Sequence, residues 1–180
     1  MSKTEFPKCI LVDANFLVAW VNPKTTPDDK ARLEYFFSRA EAAKSKIIIP
    51  MPAVAEYLVG ADTAALETFN KLERKTYIAV VPFDRVSAFE CALMDRAALG
   101  SGDKKDGSTE PWQKIKIDRQ IVATGRAHGA TLVVSGDEGV RQNALRVGIA
   151  GKAISELELP DEAKQKKLEL VIKNSTSIKD

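Results

Sequence analysis

A single histidine, His128, and two cysteines, Cys9 and Cys91, are all the imidazole and thiol ligands that the 180 residues offer. The cysteines lie far apart and neither has zinc-type spacing, which excludes a structural zinc cage. With one histidine, a Ser-His-Asp or Cys-His centre would depend wholly on His128. That residue sits beside Gly129 near the end of a predicted helix, with no nucleophile motif to accompany it. No Gly-x-x-x-x-Gly-Lys or Gly-x-Gly-x-x-Gly pattern is present, so a nucleotide cradle of either kind is excluded. Excess charge is lacking too. The 27 Lys and Arg nearly balance 25 Asp and Glu, for a formal net charge of +2. A chain of this balance has no overall basic footprint for nucleic acid, and any such surface must be local. Long apolar runs are missing as well. Asp13 and Asn15 interrupt the first of them, which argues against a signal peptide or membrane anchor. The expectation is a cytoplasmic protein with reduced thiols.

What remains is an ordinary globular composition, 44% hydrophobic, in a chain long enough for one full core. Strand-like and helix-like patterns alternate along it. Cys9–Val12, Ile47–Ile49, Tyr77–Pro82, Thr131–Ser135 and Lys152–Ile154 read as short strands of the continuously apolar, parallel type. Between them, helices are predicted over 15–21, from about Pro27 with Leu33, Phe36, Phe37 and Ala40 as its stripe, over 53–59 and after Asp62. Gly60 is expected to end the third of these in a left-handed conformation. Further helices are predicted over 84–99, with Val86, Phe89, Leu93 and Ala97 at helical spacing, from about Asp118 to Ala127, and over 138–147. Residues 101–112 crowd Gly, Ser, Asp, Lys and Pro without periodicity and read as a loop insertion. A last helix carrying Leu168, Val171 and Ile172, then a polar tail, fills 156–180. The alternation predicts a three-layer α/β/α fold with a central, mostly parallel sheet.

Four acids stand out by position. Asp13 ends the first strand, Glu56 lies in the helix after the second, Asp118 opens a helix, and Asp137 follows the strand Thr131–Ser135 after one glycine. In an open parallel sheet, chemistry collects at the carboxyl ends of the strands. Acids that converge there repel one another unless a divalent cation neutralises them, and hard cations take oxygen ligands. Each acid also has a bland reading as a helix cap, a first-turn acid or a solvated surface group. Asn15 reads equally as a helix N-cap, and Ser135 as a polar strand end. Trp20 reads as core.

The segments Leu11-Val12-Asp13-Ala14-Asn15, Pro52-Ala53-Val54-Ala55-Glu56, Asp118-Arg119-Gln120-Ile121-Val122-Ala123-Thr124 and Thr131-Leu132-Val133-Val134-Ser135-Gly136-Asp137 occur in an order that resembles the PIN-domain nucleases, in particular the VapC-like toxin ribonucleases. The resemblance covers roughly residues 10–154. It implies a nuclease domain over 1–155, with Asp13, Glu56, Asp118 and Asp137 as a catalytic site for Mg²⁺ or Mn²⁺ and Asn15 and Ser135 in support. It also implies an RNA substrate, an antitoxin protein as partner, and a homodimer. The implied reaction is hydrolysis of an RNA phosphodiester by metal-activated water. Cations must then hold the flanking phosphates, and Lys104, Lys105, Lys114, Lys116, Arg119 and Arg141 lie nearest the motifs. Trp112 is a candidate platform for an unpaired base, or a cover for the core. Three other readings stay open: an inactive PIN-like module that binds RNA or protein, a haloacid-dehalogenase-like phosphatase, in which a second acid would stand where Asn15 does, and a receiver-type domain, whose spacing Glu56 and Asp118 fit poorly.

Overall fold

The computed structural model describes residues 5–165. Five strands, β1 (Cys9–Val12), β2 (Lys46–Pro50), β3 (Ile78–Val81), β4 (Leu132–Val134) and β5 (Ala150–Lys152), form one sheet in the order β3-β2-β1-β4-β5. Every neighbouring pair is parallel. The register sets Leu11 between Ile48 and Val133 in the middle of the sheet. Among the described residues, helices connect and cover the strands: α1 (Ala14–Val21), α2 (Pro27–Ala42), α3 (Met51–Gly60), α4 (Thr63–Glu73), α5 (Arg85–Gly100), α6 (Trp112–Ala127) and α7 (Glu138–Arg146).

Strand side chains alternate between the two faces, and the core divides accordingly. Ile10, Val12, Ile47, Ile49, Leu132 and Val134 join a cluster with Phe16, Leu33, Phe36 and Phe37 from α1 and α2. Trp20 packs against this side with its ring 4.7 Å from that of Phe37. Leu11, Ile48 and Val133 point to the other face and meet Ile121 and Val122 of α6 and Val140 of α7. The sheet is therefore buried on both sides, as its unbroken apolar strands require. One glycine sets the spacing of the second layer. A Cβ on Gly125 would come within 2.7 Å of Leu11 Cδ2, so its absence lets α6 lie directly on the central strand.

The structure departs from the sequence reading in several places. Helix α6 starts at Trp112, so Asp118 lies nearly two turns inside the helix rather than at its head. Pro111 supplies an extended N-cap there, and Ile115, Asp118 and Val122 share the buried face. Gly60 is the last helical residue of α3, followed by extended Ala61, and is not left-handed. The last strand is Ala150–Lys152, two residues before its expected position. Helix α5 forms, but Val86, Phe89 and Leu93 are exposed, while Ser87, Met94 and Ala98 face inward. That helix packs mainly on α6 rather than on the sheet. Asn15 is the second residue of α1, and the N-cap is Asp13. The helix expected around Leu168 lies outside the described residues.

Candidate active site

The chain runs from β1 outward to β2 and β3, then returns to the other side of β1 for β4 and β5. The strand order thus reverses between β1 and β4, and a crevice opens at the carboxyl ends of such a pair. Asp13 directly follows β1, and Asp137 lies three residues past β4. Helices that cross over between parallel strands run back against them, so the first half of α6 comes to the same edge and brings Asp118. Helix α3 starts directly from the end of β2 and carries Glu56 there.

Asp13 is 2% exposed. Its Oδ1 accepts from the Phe16 backbone N–H at 3.0 Å, and its Oδ2 accepts from the Ser135 hydroxyl. The capping and site-facing readings of this residue coexist. Burial nevertheless raises its carboxyl above the ordinary range, against the hydrogen bonds from Ser135, Phe16 and Asn15. Asn15 thus touches the first acid from within α1. Ser135 works in two directions, since its oxygen also accepts from the Asp137 backbone N–H at 2.8 Å.

Asp137 caps α7: its Oδ1 accepts from Gly139 N–H at 2.7 Å and Val140 N–H at 3.3 Å. Its Oδ2 turns into the crevice and meets Lys114 Nζ at 2.8 Å. The same ammonium donates to Asp118 Oδ2 at 2.9 Å, one helical turn along α6. Asp118 is buried, and burial raises its carboxyl in spite of Lys114. Burial works the same way at Asp137, but there the Lys114 ammonium and the α7 N–H groups outweigh it and the carboxyl is lowered. Lys114 itself is raised: burial opposes its charge, and the two carboxylates more than compensate. Glu56 stands at the rim. Partial burial, then repulsion from Asp118 and Asp13, pushes its carboxyl up.

The acids therefore share one electrostatic site, assembled from positions 13, 56, 118 and 137. Carboxylate oxygens are the donors that a hard divalent cation takes. Gly139 adds space: a Cβ there would lie 3.0 Å from Asp118 Oδ2, 3.1 Å from Asp137 Oδ1 and 3.5 Å from Lys114 Nζ. The residues fit such an ion in donor chemistry and in the cation cradle beside Gly139. Among the described residues, however, no three acids stand close enough together to form a finished cage. The cation actually seated between Asp118 and Asp137 is the Lys114 ammonium.

The basic residues predicted from sequence divide sharply. Arg119 is 1% exposed. Its guanidinium donates to Asp95 at 2.6 Å, to Asp106 at 2.7 Å and to the Lys104 carbonyl at 2.9 Å, and it lies 5.6 Å from the Trp112 ring centroid. A phosphate has no access to it, and the reason is that the 101–111 segment folds back over it. Trp112 is half-buried between Arg119 and the Lys104 ammonium, 5.2 Å from the ring centroid, rather than open to a base. Arg141 donates to the Ser135 carbonyl and braces the turn after β4. Lys104 and Lys116 are exposed, and half-buried Lys105 reaches the Glu110 carbonyl. A cleft of about 360 Å³ runs between this loop and α7, lined by Lys105, Asp118, Gly139 and Arg146 among others. His128 caps the far end of α6, roughly 15 Å along the helix from Asp118. Lys114, expected from the sequence to hold a phosphate, instead bridges Asp118 and Asp137, and the place of Gly139 beside them is missed by the sequence reading. The i,i+4 spacing of Lys114 and Asp118 is a legible signal once the helix is known to begin at Trp112.

Among the described residues, no helix is long and apolar enough to cross a membrane. No curated protein matches the chain. Among solved structures, it is similar to VapBC2 from Rickettsia felis bound to a DNA fragment from its promoter, at 15% identity and TM-score 0.52, over 81% of this chain and 98% of that one. A similar likeness is found to DNA-bound VapBC from Salmonella typhimurium, at 14% identity and TM-score 0.52, over 81% of this chain and 97% of that one. These likenesses concern the fold. In sequence, the family described as PIN domain matches residues 10–145, and on that match this chain belongs to the PIN-domain family.

Proposed function

We propose that this chain is a metal-dependent endoribonuclease, the VapC-like toxin of a toxin–antitoxin pair. The observation that carries the reading is the convergence of Asp13, Glu56, Asp118 and Asp137 on the crevice at the β1/β4 reversal. Asp13, Glu56, Asp118 and Asp137 are the carboxylates available to hold Mg²⁺ or Mn²⁺ in this crevice, and Glu56 at the rim would also orient the attacking water. Bound there, a divalent ion supplies a water of lowered pKa and stabilises charge on the leaving oxygen. Ser135 and Asn15 keep the Asp13 carboxylate turned into the crevice, and Asp137 is held by the first turn of α7. Lys104, Lys105 and Lys116 are the cations left to meet phosphates flanking the scissile bond.

The two VapBC neighbours support an antitoxin as partner, and the DNA in those complexes supports an antitoxin that binds DNA. The exposed apolar stripe Val86, Phe89 and Leu93 on α5 supports contact with a second copy of the chain. The test is cleavage of single-stranded RNA by the purified chain with Mg²⁺ or Mn²⁺. Cleavage should stop with EDTA and with Asp13→Asn. Metal-independent cleavage, or none by the wild-type chain freed of its partner, would sink the reading.

A further inference from the structure

The proposed metal site already contains a cation. Lys114 Nζ lies 2.9 Å from Asp118 Oδ2 and 2.8 Å from Asp137 Oδ2, so one ammonium bridges two acids from separate elements. Its position is imposed by the fold. Lys114 stands one turn before Asp118 on α6, with a side chain only 33% exposed, and Gly139 leaves room for the two carboxylate oxygens beside it. Asp137 Oδ1 is engaged too, since it accepts two backbone N–H groups of α7. The other half differs. Among the described residues no basic side chain forms an ion pair with Asp13 or Glu56, and Asp13 meets neutral donors: Phe16 N–H, Ser135 Oγ and the Asn15 side chain.

Charge then decides how much metal the site takes. Four ionised carboxylates against one ammonium leave three negative charges. One divalent ion reduces that to a single negative charge, whereas two would overcharge the crevice while Lys114 remains. Two cations also cannot share the space between Asp118 and Asp137 at contact distance from both.

We propose that Lys114 is a built-in substitute for the second cation of the site, so that the chain binds one divalent ion, on the Asp13 and Glu56 side. The bridge aligns Asp118 and Asp137 without metal and leaves the Asp13 half to the ion. The inference rests on the metal-site reading above, and the two can fail separately.

The test counts Mn²⁺ bound to the purified chain by the loss of the free-ion electron paramagnetic resonance signal, with calorimetric titration in parallel. The wild type should bind one Mn²⁺. Lys114→Met keeps the apolar stem and removes the charge; it should bind a second ion, and its metal-free melting temperature should fall and recover with Mn²⁺. Lys114→Arg keeps the charge and should bind one. Two ions in the wild type, or one in Lys114→Met with unchanged affinity, would overturn the role of Lys114 while leaving the metal site standing. No Mn²⁺ bound by any of the three would overturn the metal site itself. Should Lys114→Met fail to fold, Lys114→Gln, which also removes the charge, takes its place with the same expected second ion.

Discussion

Ser135 and Asp13, 122 residues apart in the chain, are joined by a hydrogen bond from the Ser135 hydroxyl to Asp13 Oδ2 across the β1/β4 edge. The Ser135 oxygen at the same time accepts from the Asp137 backbone N–H at 2.8 Å. One hydroxyl thus fixes the first and last acids relative to each other. Asp13 in addition caps α1 through Phe16 N–H. Two substitutions at Asp13 should therefore behave differently. Asp13→Asn keeps an oxygen for the cap and should lose RNA cleavage with its melting temperature unchanged or higher, because a buried negative charge is gone. Asp13→Ala also loses the cap, which costs about 0.5–2 kcal/mol, and should melt lower. Cleavage assays beside thermal unfolding separate the two. Wild-type rates in Asp13→Asn at saturating Mg²⁺ would remove Asp13 from the site.

Much of this was legible in the sequence because each strand is short, apolar and followed at once by polar residues. Ile10, Leu11 and Val12 are all fully or almost fully buried, as a central parallel strand demands, and Asp13 breaks the run where the chain leaves the sheet. Asp118 was harder. Lys114-Ile115-Lys116-Ile117 alternates like a strand, and only the contact of α6 with the sheet turns it into helix. Arg119 illustrates what spacing cannot supply. Its position beside Asp118 suggested a phosphate ligand, but its partners Asp95 and Asp106 come from α5 and the following loop, brought together by tertiary packing alone. The α5 stripe at Val86, Phe89 and Leu93 shows the same limit, since periodicity gives the helix but not the direction in which its apolar side turns.

Arg119 and the loop lysines should separate structural from electrostatic roles. Arg119→Met leaves Asp95 and Asp106 without their guanidinium, and removing one partner of a buried pair costs on the order of 3 kcal/mol. Both acids are partly exposed, which holds the cost to the lower part of the usual range. The melting temperature should fall. Lys104→Ala with Lys105→Ala should instead leave it nearly unchanged and weaken RNA binding, each lost phosphate contact reducing the log–log salt slope by about 0.7. Binding isotherms at several salt concentrations give the slope. An unchanged slope would remove the loop lysines from the RNA path.

Gly139 offers a test of the cradle. Its substitution by alanine would set a methyl 3.0 Å from Asp118 Oδ2 and 3.1 Å from Asp137 Oδ1, tighter than ordinary van der Waals contact. The backbone of Gly139 is not in the left-handed region, so alanine adds no strain of its own. Gly139→Ala should keep its fold and bind Mn²⁺ more weakly than the wild type in calorimetric titration. Unchanged affinity would mean that the ion does not depend on the Asp118–Asp137 alignment.

The raised acids predict an unusual pH dependence. Asp13, Asp118 and Glu56 have folded-state values above their ordinary ones, so at a given pH the folded state binds more protons than the unfolded chain. Their contribution to stability is fully present below about 4 and is lost as pH rises through the raised values. Asp137 acts oppositely: its lowered carboxyl stabilises above about 4 and loses that contribution as pH falls. The lowered acids, Asp137 and also Glu5, Asp84, Asp103 and Asp161, change their contribution only below about 4, so above it the raised groups alone make the metal-free protein less stable as pH rises. Asp118→Asn should flatten that decline, which thermal unfolding in EDTA at stepped pH measures. The same slope in wild type and Asp118→Asn would show that the acid is not strained in the folded chain.

Metal should relieve the same strain. An ion that binds the folded chain and not the unfolded one stabilises by mass action, about 2.7 kcal/mol at a hundredfold excess over its dissociation constant. Mn²⁺ or Mg²⁺ should therefore raise the wild-type melting temperature and reduce its fall with pH. The rise should shrink most in Asp13→Asn, whose oxygens no ammonium serves. It should shrink less in Asp118→Asn and Asp137→Asn, where Lys114 already holds the partner acid. Ca²⁺ should stabilise as well while supporting cleavage poorly, because its looser coordination orients water less strictly. Thermal unfolding of the wild type and the three variants, each with and without Mn²⁺, makes the comparison. Equal shifts in all four would mean that the ion sits elsewhere, and the four-carboxylate site would have to be given up.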